Sequence, residues 1–317
     1  MHSIAIQAQQ PRQLDQQPRL SQLMEAFLQS LDISSSSKRT YKRQLKQFVE
    51  WLEQQDQHIS ELTREDLLRY KKALMESSKS ARTVSGYLTP VRRLFEWLEA
   101  NKIYPNVAKG IKGAKQPRGY AKDVLSKQQL QAVLSEIDHS SLEGLRDYAL
   151  FNLLARTGLR TIELERAEIQ DMRSLSGERV LWIQGKGRDS KDEFVLLTQQ
   201  AYEPIKAYLA ARSIEEGRAL QDQDPLFASL SDRSLGSKLV TRSIRYVIKK
   251  RLRAAGLNEK RLSAHSLRHT AITLAIQAGA SMYQAQAMAR HSSIKTTEIY
   301  FHNQKRISAA AENLISF

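Results

Sequence analysis

The sequence predicts a mainly α protein in two domains, the second carrying a small antiparallel β-sheet. Three observations support this. Apolar residues recur at three- and four-residue spacing over four stretches in the first third of the chain, which puts them on one face of a helix. The periodicity stops at Tyr104-Pro105-Asn106, and glycine, proline and basic residues accumulate through Lys115-Gln116-Pro117-Arg118-Gly119. Helical patterns then resume, but Val180-Leu181-Trp182-Ile183 and Phe194-Val195-Leu196-Leu197 read as strands of a hairpin around Gly185-Lys186-Gly187. At 317 residues the chain also exceeds what one core comfortably organises.

Residues 1–17 are Gln-rich and expected to be a disordered tail. Residues 18–106 form the first domain, with helices expected near 19–31, 38–54, 63–77 and 80–100. The serine run Ser34 to Ser37 reads as a turn supplying the N-cap of the second helix. Along that helix Tyr41, Leu45, Phe48 and Leu52 make one apolar stripe, and Lys38, Arg39, Lys42, Arg43 and Lys46 make a basic flank. In the fourth, Val84, Leu88, Val91, Phe95 and Leu98 alternate at four and three residues, with Pro90 expected to kink the helix. The stripes read as bundle core, and the flank as a solvated face unless a polyanion meets it. Residues 107–123 are expected to link the domains, and 124–317 to form the second. There Ser126-Lys127-Gln128-Gln129 reads as a capping box, followed by helices near 142–157, 161–168, 199–214, 237–255, 265–279 and 282–290. At the end, Ile307, Ala310, Ala311 and Leu314 fall at helical spacing, a short amphipathic tail that must dock its apolar side somewhere.

Composition points to a polyanionic partner. There are 49 Lys and Arg against 34 Asp and Glu, a formal charge of +15, and the sequence pI is about 9.9. The chain has no cysteine, which excludes disulfides, thiolate zinc sites and cysteine nucleophiles. The start, Met1-His2-Ser3-Ile4-Ala5-Ile6-Gln7, has no basic-then-apolar signal pattern, and no apolar run approaches the roughly 18 residues of a membrane span. A soluble cytoplasmic chain without a membrane partner is expected, associated with the nucleoid if the source is prokaryotic.

One scattered set of residues carries chemistry. It comprises Arg160 in Thr157-Gly158-Leu159-Arg160-Thr161-Ile162-Glu163-Leu164, Lys186 between its glycines, His265 and Arg268 in His265-Ser266-Leu267-Arg268-His269, His291 in Arg290-His291-Ser292-Ser293, and Tyr300. Guanidinium groups fork onto two oxygens at once, so a pair of arginines can neutralise a five-coordinate phosphate without a metal. A tyrosine can attack that phosphate but, with a solution pKa near 10, needs a neighbouring base. His265 is the natural candidate, and a lysine on a Gly-flanked turn can reach in to protonate the departing oxygen. Taken alone each residue has a plainer reading: Tyr300 as packing, Arg160 as a surface charge, His269 as a buried, hydrogen-bonded helix histidine. A zinc pair at His265 and His269 lacks the adjacent glutamate of a metalloprotease helix, so no metal and no cofactor is expected.

Together these boxes resemble the tyrosine recombinases, the phage-type integrases and chromosome-dimer resolvases, from about residue 18 to the C-terminus. The resemblance rests on the Thr-Gly-Leu-Arg-x-x-Glu-Leu box, the His-x-Leu-Arg-His box, and the run from His291 through Thr296-Thr297-Glu298-Ile299 to Tyr300. It implies a SAM-like core-binding helical domain on DNA followed by a catalytic domain. It also implies Arg160 and Arg268 as phosphate clamps, Lys186 as general acid, His265 as acid/base, His291 as supporting donor, Tyr300 as nucleophile and Glu163 as an orienting carboxylate. The basic flank of the second helix becomes a phosphate contact. The implied reaction is strand exchange at double-stranded recombination sites through a 3′-phosphotyrosyl ester and a Holliday junction, by four protomers that exchange tails. The short stretch before residue 18 leaves little room for an arm-binding domain and favours a simple recombination site. Two departures stand out: family members commonly carry glycine where this chain has Arg290, and the segment Arg188 to Glu193 is longer and more acidic than usual, so that Arg188 and Lys191 compete with Lys186. A type IB topoisomerase-like enzyme and a catalytically silent DNA-binding factor are the rival readings. The first would relax supercoils without recombining, and the second would bind without covalent capture.

Overall fold

The computed structural model describes residues 20–115, 124–185, 187–308 and 314–315, with residues 303–308 given by their backbone alone. It divides into two compact units, Met1–Arg118 and Gly119–Phe317. The first holds four helices: α1 (Leu20–Ser30), α2 (Ser35–Gln54), α3 (Arg64–Glu76) and α4 (Ala81–Ala100). Its core is what the stripes predict. Leu45, Phe48 and Leu52 of α2 are buried against Val84, Leu88, Val91, Phe95 and Leu98 of α4. Phe48 is the hub, 4.9 Å from the Tyr70 ring of α3 and 6.4 Å, edge-on, from Phe95. Burying each such side chain stabilises the unit by about 1.5–3 kcal/mol.

One local expectation is revised. Ser34 caps α2, accepting from the Ser37 N–H at 3.3 Å, so Ser35 to Ser37 are the helix's first turn and not a separate bend. Pro90 lies buried inside α4, which is continuous from Ala81 to Ala100. Within the stretch expected to link the domains, Ala108, Ile111 and Ala114 are buried in the first unit's core. Residues 116–123 lie outside the described residues.

The second unit is built on α6 (Leu142–Thr157), whose Leu150, Leu153 and Leu154 are buried with residues of α8 (Gln199–Glu215), α9 (Thr241–Ala254) and α10 (Ala264–Gln277). Helix α5 (Lys127–Ser135) opens with the expected capping box at Ser126. The five-residue α7 (Thr161–Glu165) is shorter than its sequence suggested because the chain turns into a three-stranded antiparallel sheet. The sheet runs in order β1 (Met172–Leu175), β2 (Glu178–Ile183), β3 (Glu193–Leu196), with Leu175 opposite Glu178 and Ile183 opposite Glu193. Strand β1 has no apolar alternation and is not predicted. Its signal is the Ser176-Gly177 pair, whose φ values of +51° and +83° make the two-residue hairpin turn. The chain continues through α11 (Met282–Ala289) to α12 (Ile294–Ser308). Tyr300 therefore sits within a helix that starts before it. A satellite core of Ile272, Ile276, Ala285, Ala289 and Tyr300 packs α10, α11 and α12 together. Among the described residues no helix is long and apolar enough to cross a membrane.

Candidate active site

How α6 ends determines where the first arginine lies. Gly158 leaves the helix at φ +61°, left-handed backbone that costs a residue with a Cβ about 1 kcal/mol or more. Arg160 then stands at the N-cap of α7, and Glu163 reaches back to it. One carboxylate oxygen accepts the Arg160 N–H at 2.7 Å and the other accepts its Nη1 at 2.8 Å. Glu163 is fully buried, whereas the Arg160 side chain is 33% exposed and so accessible to a ligand.

The second arginine is held by the same turn. His265, Arg268 and His269 occupy one face of α10, three and four residues apart. Arg268 is buried, its Nη1 donating to the Gly158 carbonyl at 2.6 Å and its Nη2 to the Ala289 carbonyl. Burial first, then the charges of Arg160 and Arg290, push this guanidinium down to about 10, so it remains cationic at neutral pH but strained by its neighbours. An arriving anion offsets the like-charge part of this shift.

Tyr300 is only 2% exposed, and its hydroxyl is hydrogen-bonded to Nδ1 of His269. The His269 ring in turn meets that of His265 edge-on at 4.3 Å, and His265 is exposed. Three rings thus run from the surface to the buried phenol. His269 has the buried, hydrogen-bonded place expected of it, with a partner, the phenol, that was not foreseen. The four-residue spacing of the two histidines was the available signal. His291 stacks on Tyr300 with ring centroids 6.1 Å apart, and its Nδ1 is 2.9 Å from Oγ1 of buried Thr297. Thr297 and Tyr300 are one turn apart on α12, so one helix carries the phenol and orients the histidine above it.

Lys186 lies outside the described residues, but its surroundings are defined. Arg166 Nη1 donates to the Gly185 carbonyl at 2.9 Å, anchoring the loop's first arm. Lys191 donates to Asp171 at 2.7 Å and Glu168 at 2.9 Å. Burial alone would lower its pKa, yet these two carboxylates outweigh burial and hold it raised. Arg188 pairs with Asp192 at 2.7 Å and lies 3.6 Å from Glu193. Both rivals of Lys186 are therefore engaged with acids.

Arg290 does not reach outward. Its side chain is 5% exposed and its Nη2 donates to Glu163 at 3.0 Å, so the guanidinium groups of Arg160 and Arg290 share one buried carboxylate. Beside this knot a cleft of about 770 Å³ opens between β3 and α11, with Arg290 and His291 on its wall.

On the first unit, Arg39, Lys42, Arg43 and Lys46 are exposed on α2 and Lys38 is half-buried. Lys42 is paired with Glu25, and Lys46 lies 3.6 Å from Glu50. Among the described residues Arg39 and Arg43 pair with no carboxylate. In the tail, Leu314 and Ile315 are exposed, while the side chains of Ile307, Ala310 and Ala311 lie outside the described residues.

The chain is similar to known proteins in sequence and in fold. The Phage integrase family model matches residues 123–306, and the Phage integrase N-terminal SAM-like domain matches residues 22–102. The chain is 30% identical over 289 residues to tyrosine recombinase XerD of Vibrio cholerae serotype O1, covering 88% of this chain and 91% of that protein. It is 28% identical over 293 residues to XerD of Listeria monocytogenes serotype 4b, covering 90% and 95%. In fold it resembles the XerH site-specific recombinase bound to a palindromic difH substrate in a post-cleavage complex. The TM-score is 0.72 and the identity 24%, over 92% of this chain and 83% of that one. It also resembles a lambda integrase dimer bound to a core site, with TM-score 0.67 and 16% identity over 87% and 96%.

Proposed function

Because the chain belongs to the phage integrase family of tyrosine recombinases, we propose that its arginine knot and Tyr300 cut and rejoin DNA at specific recombination sites. The observation that carries this is the junction at Gly158 and Ala289, where the turn that presents Arg160 also holds Arg268 next to the satellite core containing Tyr300. Arg160 and Arg268 bind the scissile phosphate. The Tyr300 oxygen attacks phosphorus, the bond to the 5′-oxygen breaks, and a 3′-phosphotyrosyl ester and a free 5′-hydroxyl result. A second strand's 5′-hydroxyl then attacks the ester and restores the phenol, so bond energy is conserved and strands exchange through a Holliday junction. His269 holds the phenol and stands between it and His265, which exchanges the proton with solvent or substrate. His291, oriented by Thr297, donates to a phosphate oxygen.

Lys186 protonates the departing 5′-oxygen. The engagement of Lys191 and Arg188 with carboxylates supports this choice, since a lysine with a raised pKa is a weaker acid. Lys186→Ala is expected to slow cleavage by about 10²–10⁴-fold, and a substrate with sulfur at the bridging 5′ position, whose thiolate leaves without a proton, is expected to restore it. Slow cleavage of both substrates would move the acid elsewhere.

The first unit approaches the phosphates through α2. Replacing Arg39 and Arg43 by alanine is expected to weaken binding to all DNA sequences and to flatten log K against log salt by about one unit per lost contact. Lys42 and Lys46 must first release Glu25 and Glu50, so their replacement has the smaller effect. A change in sequence preference alone would make α2 a reader of bases.

Four protomers, each donating its tail to a neighbour, form the synapse in the cytoplasm. A duplex nicked beside the cleavage site tests the whole reading. Covalent capture with recombinant product in a complex of tetrameric mass is expected. Capture with relaxation alone indicates a topoisomerase, and binding without capture a silent DNA-binding factor.

A further inference from the structure

We infer that Arg290 is a positioning residue of the cleavage site, one that holds Arg160 through Glu163 in register with His291 and with β3; this rests on the recombinase reading above. Arg290 ends α11 at φ +50°, left-handed backbone at which glycine is favoured by about 1 kcal/mol or more. It is not placed there to reach solvent or DNA, because its side chain is 5% exposed. Burying a guanidinium is itself costly unless its donors are matched. A residue that carries both penalties is holding something that glycine cannot.

Its contacts show what that is. Nη1 donates to the Met288 carbonyl at 2.7 Å, and Nη2 donates to Glu163 at 3.0 Å, with the Gly158 carbonyl at 3.4 Å. Nε is buried without a hydrogen-bond partner among the described residues, and a carboxylate oxygen of Glu193 of β3 is 3.9 Å away. The Arg290 carbonyl accepts from Arg160 Nη2 at 3.4 Å. One side chain therefore joins the Arg160 turn and α7 to the last turn of α11, beside the first residue of β3. Those segments carry Arg160, His291 and the arm that follows Lys186. Arg160 is steadied twice, at Nη1 by the carboxylate that Arg290 holds and at Nη2 by the Arg290 main chain. A planar fork with several fixed donors can make this bridge, and a lysine's single ammonium cannot make all of it.

The test compares full-length wild type with Arg290→Gly, Arg290→Lys and Arg290→Met. The measurements are thermal melting, affinity for duplex DNA, and single-turnover cleavage of a nicked duplex at saturating protein. Glycine relieves the backbone, so Arg290→Gly is expected to melt no lower than wild type and to bind DNA equally well. Its cleavage rate is expected to fall by about tenfold to a hundredfold, the scale of an ångström's misplacement. Arg290→Lys, with the same backbone penalty as arginine, is expected to cleave faster than the glycine and methionine variants. Wild-type cleavage by Arg290→Gly, or a loss confined to affinity, would overturn the inference and leave the recombinase reading standing. If Arg290→Gly unfolds, lysine and methionine decide: equal rates overturn the inference, and faster cleavage by lysine supports it. Failure of the wild type itself to form a covalent complex would overturn both readings.

Discussion

Tyr300→Phe is expected to abolish covalent capture of DNA while leaving binding intact. Phenylalanine fills the same space among Ile272, Ile276, Ala285 and Ala289, so the satellite core is kept. What is lost is the oxygen that attacks phosphorus and its hydrogen bond to His269. Losing that hydrogen bond costs about 1 kcal/mol of stability, too little to unfold a domain. Denaturing gels of protein incubated with nicked duplex read the outcome directly, and a covalent band persisting in the variant would remove Tyr300 from the mechanism.

The second large effect is expected at the clamp. Arg160→Ala and Arg268→Ala should each slow cleavage by about 10²–10³-fold, the scale of a lost oxyanion donor. The double variant should lose less than the product of the two, because groups that act on one phosphate fail as a unit. Full additivity in single-turnover rates would assign them separate tasks. The two substitutions differ in structural cost. Removing Arg268 leaves the Gly158 and Ala289 carbonyls without that donor, whereas Glu163 keeps Arg290 when Arg160 is removed. Arg268→Lys, which retains a buried cation, separates lost chemistry from lost support through the melting temperature.

Local signals made much of this fold legible. The α2 and α4 stripes repeat at helical spacing and are buried as predicted, except that Tyr41 is only partly buried, and the capping box at Ser126 marks the start of α5. Strand β1 was not legible, because a short exposed strand needs no apolar alternation. Its turn residues, Ser176 and Gly177, were its only cue. The boxes around Arg160, Arg268, His291 and Tyr300 carry the proposed chemistry, yet the partners of those residues were hidden. His269 meets a phenol 31 positions later, and Arg290 turns inward to a carboxylate 127 positions earlier. The four-residue spacing of His265 and His269 marks the histidine pair, but nothing in the sequence marks the phenol or the carboxylate as a partner. Both pairings arise only when α7, α10, α11 and α12 converge.

The two acceptors that hold Arg268 are main-chain oxygens, at Gly158 and Ala289. A carbonyl is present whatever residue occupies its position. Drift at position 289 is therefore silent toward the clamp as long as the newcomer fits the space and the turn survives, while position 158 is constrained by its dihedral angle alone. The donor has no such latitude, since only a guanidinium's fork reaches both oxygens from one side chain. This half of the site is thus buffered on the side of its acceptors and brittle on the side of its donor, since one guanidinium, that of Arg268, spans both oxygens.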